Sequence, residues 1–550
     1  MKTGKTMFVR KFFVSILLSL VLVPSFGFSK QRDVQTIVMD SMQAARYIDS
    51  VRQLRLQEID FIVDQIENTY ISGRRGLNNR EWEDRLAILR DAVTRTAHAP
   101  NFTYYYMWCY LGFLIQDQHF DFPDGGVYNR FRIFTRNDLI LPLWVQTWED
   151  GTVYNVKDYT GVIPAHAQIL SVNGRDAQET ALRNRMMFPG EEAYAMAWMN
   201  AVDETDPRMW NAFANFFWMR GHRPPFKVVY KVQGSDRPDT VVLNGMARGD
   251  IYKEFKKSDD KYRVRSSRGA RLRPIEYRNM QDGIGVLTIN MMWGKRWTPM
   301  LLFGKDQRYP RMLRRAMRSI DRDGIKNLII DLSICPGGLS ENIYKTLDYF
   351  TDRPVDRTNI YRVTDNNRKI VQALISNDHL TPKADRRRLS DLVGGLKSGT
   401  LFRTDTLFPM QYQPQPQEHS YRGNVYILTG PQTYSAAQVL VQYFQHLGIG
   451  RVAGQHCGGF TEVTLGSAPN IPLPLSSTMP FHVPVGKMAL FSGREDSYRY
   501  PPVDIPIDHP FEEWLKRENY SLDRLIEMIR KGEVDSIVSS TSKSNEASIQ

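Results

Sequence analysis

The sequence predicts a multidomain α+β chain, and three changes of texture predict it. Apolar residues recur at helical spacing up to about residue 125. Short β-like runs follow from about 138 to 245, and beyond 270 come nearly unbroken apolar runs alternating with helical patterns. A chain of 550 residues has room for two to four such regions.

The amino terminus reads as a leader. Lys2, Lys5, Arg10 and Lys11 precede an apolar run from Phe12 to Val23, and small residues follow at Ser25, Gly27 and Ser29. A run of 12 residues covers only about 18 Å as a helix, short of the ~30 Å hydrocarbon core. Residues 1–27 are therefore expected to be a removable signal peptide, with no cysteine nearby to carry a lipid. The expected compartment is the periplasm or the exterior, with no stable membrane anchor after cleavage.

Residues 33–125 form the expected helical region, on the spacing of Ile59, Ile62, Val63 and Ile66, then Trp82, Leu86, Leu89 and Val93. In the β region, LILPLWVQTW and TVYNVKDY flank an Asp150-Gly151 turn, and IPAHAQILSVNGRDAQE follows. The charged stretch Lys253 to Arg273 reads as a linker. From 270 to 530, GIGVLTIN, NLIIDLSI and GNVYILTG read as strands covered by helices on both faces. Residues 355 to 420 lack strong periodicity and read as an insertion or flap. The polar end, 531–550, reads as a disordered tail.

Composition narrows the function classes. With 42% hydrophobic and 24% charged residues the chain is neither collagen-like, disordered nor polytopic. The net charge is +12, but four of these charges sit in the leader and another cluster is spaced along the helical pattern RMLRRAMRSI without interleaved aromatics. A solvated helix face is the expectation there, and no nucleic-acid partner. Three scattered cysteines and no metal-ligand spacing leave no metal and no cofactor expected.

Three strand-end loops of the last region carry the candidate chemistry, because open parallel sheets bind ligands outside the carboxyl ends of their strands. After NLIIDLSI comes Cys335-Pro336-Gly337-Gly338, either a plain strand-to-helix turn or a place where backbone N–H groups meet an anion. After VYILTG comes Pro431-Gln432-Thr433-Tyr434-Ser435-Ala436-Ala437, where Ser435 is either a helix cap or a hydroxyl facing a cleft. The third is GRVAGQHCGGFTEV. A serine nucleophile needs a base, for which His119 in LIQDQHFDF, beside Asp117, and His456 on the third loop compete. On spacing alone each is equally a packed ring.

These segments, in this order, resemble peptidase family S41, the carboxy-terminal-processing and tricorn-core group. IIDLSICPGG is similar to its "DLRxNPGG" segment, LTGPQTYSAAQVL to its serine segment, and LGFLIQDQHF to the "LxDGHT" segment. IPAHAQILSVNGRDAQE resembles its PDZ-like stretch, and REDSYRYPPVDIPID the segment closing its core. The resemblance runs from about Ile37 to Arg530. It implies a helical N-terminal region, a PDZ-like β domain and an α/β crotonase-like core, hydrolysing peptide bonds of an extended or unfolded polypeptide.

By that resemblance Ser435 is the nucleophile and His119 the general base of the tricorn-like branch. The N–H of Ala436, with that of Gly337 or Gly338, forms the oxyanion hole, and Glu495 supports the histidine indirectly. The lysine of the processing-peptidase branch is absent from His456-Cys457-Gly458-Gly459-Phe460, which disfavours a Ser–Lys pair. Gln118 stands where the relay has a serine, so Asp117 is an alternative orienting group. Cys335 and Cys457 fall near the implied site, as two buried thiols or as a bridge. His166 replaces a glycine of the PDZ-like pattern, leaving peptide capture or plain architecture for that domain. The rival reading is an inactive family member that binds peptide or ligand. Oligomeric state is not specified.

Overall fold

The computed structural model describes residues 41–96, 114–120, 135–148, 150–185, 190–200, 212–257, 273–294, 306–466, 470–473, 476–507 and 520–534. The expected leader, its cleavage point, Cys109, residues 258–272 of the expected linker and residues 535–550 lie outside these.

Two helices, α1 (Ser41–Asn68) and α2 (Asn79–Thr96), open the described chain. Ile59, Ile62 and Ile66 of the first pack against Trp82, Leu86, Leu89 and Val93 of the second, and Phe120 joins them. The link between them turns sharply at Arg75, which sits at φ +48°. There Gly76 is required: a Cβ on it would lie 2.5 Å from the Tyr498 ring.

The second region is a sheet of β1 (Leu143–Thr147), β2 (Val153–Asp158), β3 (Gln168–Val172), β4 (Phe226–Lys231) and β5 (Asp239–Leu243), paired in that order. Between β3 and β4 run helices the β texture did not announce: α3 (Ala177–Arg185), α4 (Glu192–Asn200) and α5 (Ala212–Met219). They are short, so each carries fewer than three turns of periodicity. The expected linker also differs, for it begins as α6 (Arg248–Lys257), which buries Ile251 and Phe255 in this region's core. Arg248, wholly buried, hydrogen-bonds Asn215 and faces Asp138 at 3.5 Å. Two apolar side chains and a paired arginine suffice to dock a helix that is otherwise charged.

The third region is a six-stranded sheet of β6 (Ile275–Asn279), β7 (Ile284–Ile289), β8 (Asn327–Asp331), β9 (Asn424–Thr429), β10 (Arg451–Gly454) and β11 (Ile505–Pro506). Spatial order equals chain order. Only the β6–β7 pair is antiparallel. Helices α7 (Arg308–Arg322), α8 (Ser340–Leu347) and α11 (Ala436–Leu447) cover one face, and α12 (Tyr520–Lys531) the other. Covering both faces explains the unbroken runs: all six residues of β7 are buried. On α7, Tyr309, Leu313, Ala316, Met317 and Ile320 are buried, while Arg311, Arg314, Arg315 and Arg318 are exposed. Each fully buried aliphatic contributes about 1.5–3 kcal/mol, enough to hold such a charged helix in place.

Residues 355–420, expected as an insertion or flap, hold regular structure that the sequence showed no period for. They hold α9 (Arg368–Ser376) and α10 (Lys383–Gly394), which pack on strands Asn359–Val363 and Thr400–Arg403 around a core of their own. Each helix buries just one i,i+4 pair, Val371 with Ile375 and Leu389 with Val393, too little to register as periodicity. The expected tail likewise starts late, since Val534 is buried beside α12.

Candidate active site

Two neighbouring parallel strands, β8 and β9, end side by side, and the turns that follow them are stitched together. Tyr434 N–H donates to Cys335 O at 3.0 Å, Thr433 Oγ1 to Leu332 O at 2.8 Å, and Leu332 N–H to Leu428 O at 2.9 Å. Ser435 caps α11 at φ +54°, ψ −126°, a conformation a side-chain-bearing residue adopts at a cost of about 1–3 kcal/mol. The strain turns its hydroxyl out of the helix.

That hydroxyl lies 3.0 Å from Nε2 of His119. Nδ1 of the same ring lies 3.0 Å from Thr464 Oγ1, and Thr464 donates its proton to Asp117 Oδ2 at 2.8 Å. A hydroxyl has one proton to give. With that proton committed to Asp117, the Thr464 oxygen accepts from Nδ1–H, so Nε2 is the bare nitrogen facing Ser435. His119 N–H and Tyr70 O–H also donate to Asp117, at 2.9 and 2.6 Å.

Electrostatics supports the same protonation. Burial pushes His119 below the ordinary imidazole value, outweighing Asp117, and Arg75 lowers it further; the ring is neutral near pH 7. Burial pushes Asp117 up, but Arg75, His119 and the Tyr70 hydrogen bond together hold it below the usual carboxylate range.

The glycine turn supplies backbone in place of side chain. Gly337 and Gly338 sit at φ +95° and +148°. A Cβ on Gly337 would lie 2.7 Å from Ala436 N, and one on Gly338 2.6 Å from Met292 O. Met292 N–H donates to Gly337 O and Leu339 N–H to Met292 O, which turns the Gly338 N–H away from Met292. Gly338 N–H and Ala436 N–H have no acceptor among the described residues. Gly337 N–H faces the Cys335 thiol, which burial nonetheless pushes up to about 12. Cys335 and Cys457 are both buried free thiols, not a bridge.

The remaining expected residues lie elsewhere. Glu495 is exposed and bonds neither nitrogen of His119; Thr464 occupies the place between His119 and Asp117. Glu495 sits in a turn whose flanking residues, Arg494 and Asp496, pair with each other at 2.9 Å. His456 stacks on Tyr500 at 5.5 Å, apart from Ser435. Gln118 gives its N–H to Tyr434 Oη at 3.2 Å. Thr464 had a faint signal, a hydroxyl residue five positions beyond the Gly458-Gly459 pair. Tyr70 and Arg75 had none. A cleft of about 800 Å³ opens at the opposite, amino-terminal ends of β9 and β10, lined by Val425, Gln442 and Arg451, and holds none of these groups. Among the described residues no three His, Cys, Asp or Glu side chains cluster to hold a metal, and no helix is long and apolar enough to cross a membrane.

Residues 283–493 match the model of peptidase family S41, a span that holds both turns, Ser435 and Thr464. Over that span the chain has a domain of the S41 type, a family of serine-type peptidases. No curated protein matches the sequence. Among solved structures, that of mature CPAF is similar at a TM-score of 0.54, with 14% identity over 89% of this chain and 98% of that one. Mature CPAF complexed with lactacystin is similar at 0.53, with 14% identity over 89% and 100%. At such identity the likeness is one of fold, and it reaches well beyond the S41 domain itself.

Proposed function

We propose that this protein is an exported serine peptidase that hydrolyses peptide bonds in extended or unfolded polypeptides through an acyl-enzyme on Ser435. The observation that carries the reading is the Ser435–His119–Thr464–Asp117 chain, whose single proton order leaves Nε2 bare beside the hydroxyl. His119 accepts the Ser435 proton as Oγ attacks the peptide carbonyl carbon. The carbonyl oxygen, now negative, is held by the N–H groups of Gly338 and Ala436. His119 then protonates the departing amine, leaving an ester on Ser435. Water attacks the ester while His119 takes its proton, and collapse frees Ser435 and the second product.

The β region is read as PDZ-like, on its five-strand order and on His166, whose φ of +70° is the glycine-like conformation the pattern calls for. The sequential six-stranded sheet supports a crotonase-like core. Export rests on the leader pattern alone.

The test is labelling by a fluorophosphonate probe. Wild type is expected to be labelled at Ser435 and Ser435→Ala not at all. Labelling should fall on acidification, with a midpoint below the ordinary imidazole value of about 6.5, since His119 must be neutral to serve. Equal labelling of the two proteins would refute the assignment.

A further inference from the structure

The S41 domain does not contain the whole relay. Asp117 and His119 come from the segment after the helical region, and what fixes that segment against Thr464 is a buried cation the peptide chemistry does not use. Arg75, in the turn between α1 and α2, reaches across with its guanidinium. Nη1 bonds Gln116 O, the carbonyl just before Asp117, and pairs with Glu191 Oε1 at 3.0 Å. Nη2 donates to Glu462 O at 3.4 Å, two residues before Thr464. Both side chains of the Arg75–Glu191 pair are almost wholly buried, at 3% and 2% exposure. The guanidinium also lies over the Phe460 ring, 5.3 Å from its centroid. Glu191 immediately precedes α4, so one side chain joins the helical, β and S41 regions where the relay is assembled.

The backbone is bent to make this possible. Arg75 and Gln116 both sit at positive φ, +48° and +49°, and Gly76 can approach Tyr498 only because it lacks a side chain. A buried ion pair contributes little net stability against two well-packed apolar residues. Placing strained backbone and a buried charge at one point is better explained by geometry and field at the relay than by stability.

We propose that Arg75, held by Glu191, is the positioning residue of the relay: it sets the spacing of Asp117 and His119 against Thr464 and places a buried positive charge beside the ring. The proposal rests on the peptidase reading for its catalytic consequence and not for its electrostatic one. The groups facing His119 are Asp117 on its own segment, Tyr70 and Arg75 at the end of the helical hairpin, Tyr434 before the nucleophile, and Glu191 behind Arg75. Glu462 with Lys487, paired at 2.6 Å, stand beyond them. Among these Arg75 is the positive charge that lowers His119, and Glu191, which burial pushes up to about 7 against the pull of Arg75, offsets that charge only when ionised.

Where His119 titrates, Glu191 is already mostly protonated, so the charge that acts on the ring there is that of Arg75. Titration of the His119 ring by NMR in protein labelled at histidine, with the signal identified by its loss in His119→Gln, reads this without any catalysis. Arg75→Gln should move the His119 midpoint up in pH, and Glu191→Gln, which mimics the protonated carboxyl, should leave it near wild type. Arg75→Lys should leave the midpoint near wild type, because charge is kept, yet lower kcat about tenfold to a hundredfold, because a point charge cannot hold Gln116 and Glu462 together. Near-UV circular dichroism identifies variants that retain the fold. A midpoint that stays fixed or falls in folded Arg75→Gln, or a wild-type kcat in Arg75→Lys, overturns the proposal. An upward shift in Arg75→Gln together with a wild type that takes no fluorophosphonate would retain the electrostatic role and refute the peptidase reading.

Discussion

The turns after β8 and β9 are equivalent places in the fold, and they solve opposite problems. Both leave the carboxyl end of a parallel strand and enter a helix packed on the same face. At Gly337-Gly338 the chain keeps its side chains out of the way, so that a backbone N–H can face a ligand. At Ser435 it keeps a side chain where glycine would be the relaxed choice, φ +54° and ψ −126°, so that a hydroxyl can face the same place. One turn offers backbone and the other a reactive atom. The difference teaches that strain at this edge marks the position where a side chain is indispensable.

Swapping the two chemistries tests that contrast. Ser435→Gly is expected to abolish peptidase activity, a loss of at least ~10⁴-fold in kcat, while stabilising the fold by about 1 kcal/mol through release of strain. Activity assay and denaturant unfolding on one preparation would show both, and a destabilised Ser435→Gly would break the comparison. Gly338→Ala should also lose activity, about 10²–10³-fold in kcat with little change in KM as the proposed oxyanion donor is displaced, but with the opposite effect on stability. The new Cβ meets the Met292 carbonyl at 2.6 Å, so its melting temperature should fall. Thr464→Val removes the hydroxyl between His119 and Asp117 and is expected to cost about tenfold to a hundredfold in kcat/KM. Thr464→Ser should restore most of it, and full activity in the valine variant would remove Thr464 from the relay. Smallest of all, Glu495→Gln should leave kcat/KM unchanged, since that side chain is in solvent.

Acid sensitivity follows from the same groups. Asp117 is held below its unfolded value, so it stabilises the fold above the ordinary carboxylate range and that contribution is lost as pH falls through its folded value. His119, also held low, favours unfolding as pH drops below the ordinary imidazole value.

What could be read from the sequence divides along physical lines. The strands of the core were legible because burial on both faces leaves continuous apolar runs such as ILE-rich NLIID, of which four residues are buried. The two strand-end turns were legible because glycine pairs and small residues beside a serine have local reasons to be there. Helices α9 and α10 were not, since each buries a single i,i+4 pair, and α3, α4 and α5 were not, since none reaches three turns. Ser435 and His119 stand 316 residues apart, and no spacing rule joins them; motif resemblance did. Thr464 and Arg75 escaped because a lone hydroxyl and a surface-type residue carry no pattern until tertiary structure surrounds them. Glu495 was assigned by segment alone, and a segment match does not fix which way a side chain faces.

The 316-residue separation also has a meaning for timing. Bringing such distant groups together carries a loop-closure cost that local turns escape. On a chain made from its amino terminus, the proton acceptor is synthesised long before the hydroxyl it is to activate. On the proposed reading, Ser435 is inert until the segment that carries His119 and Asp117 has closed against it. Cutting power is thus a property of the finished molecule, and a half-made chain carries no blade.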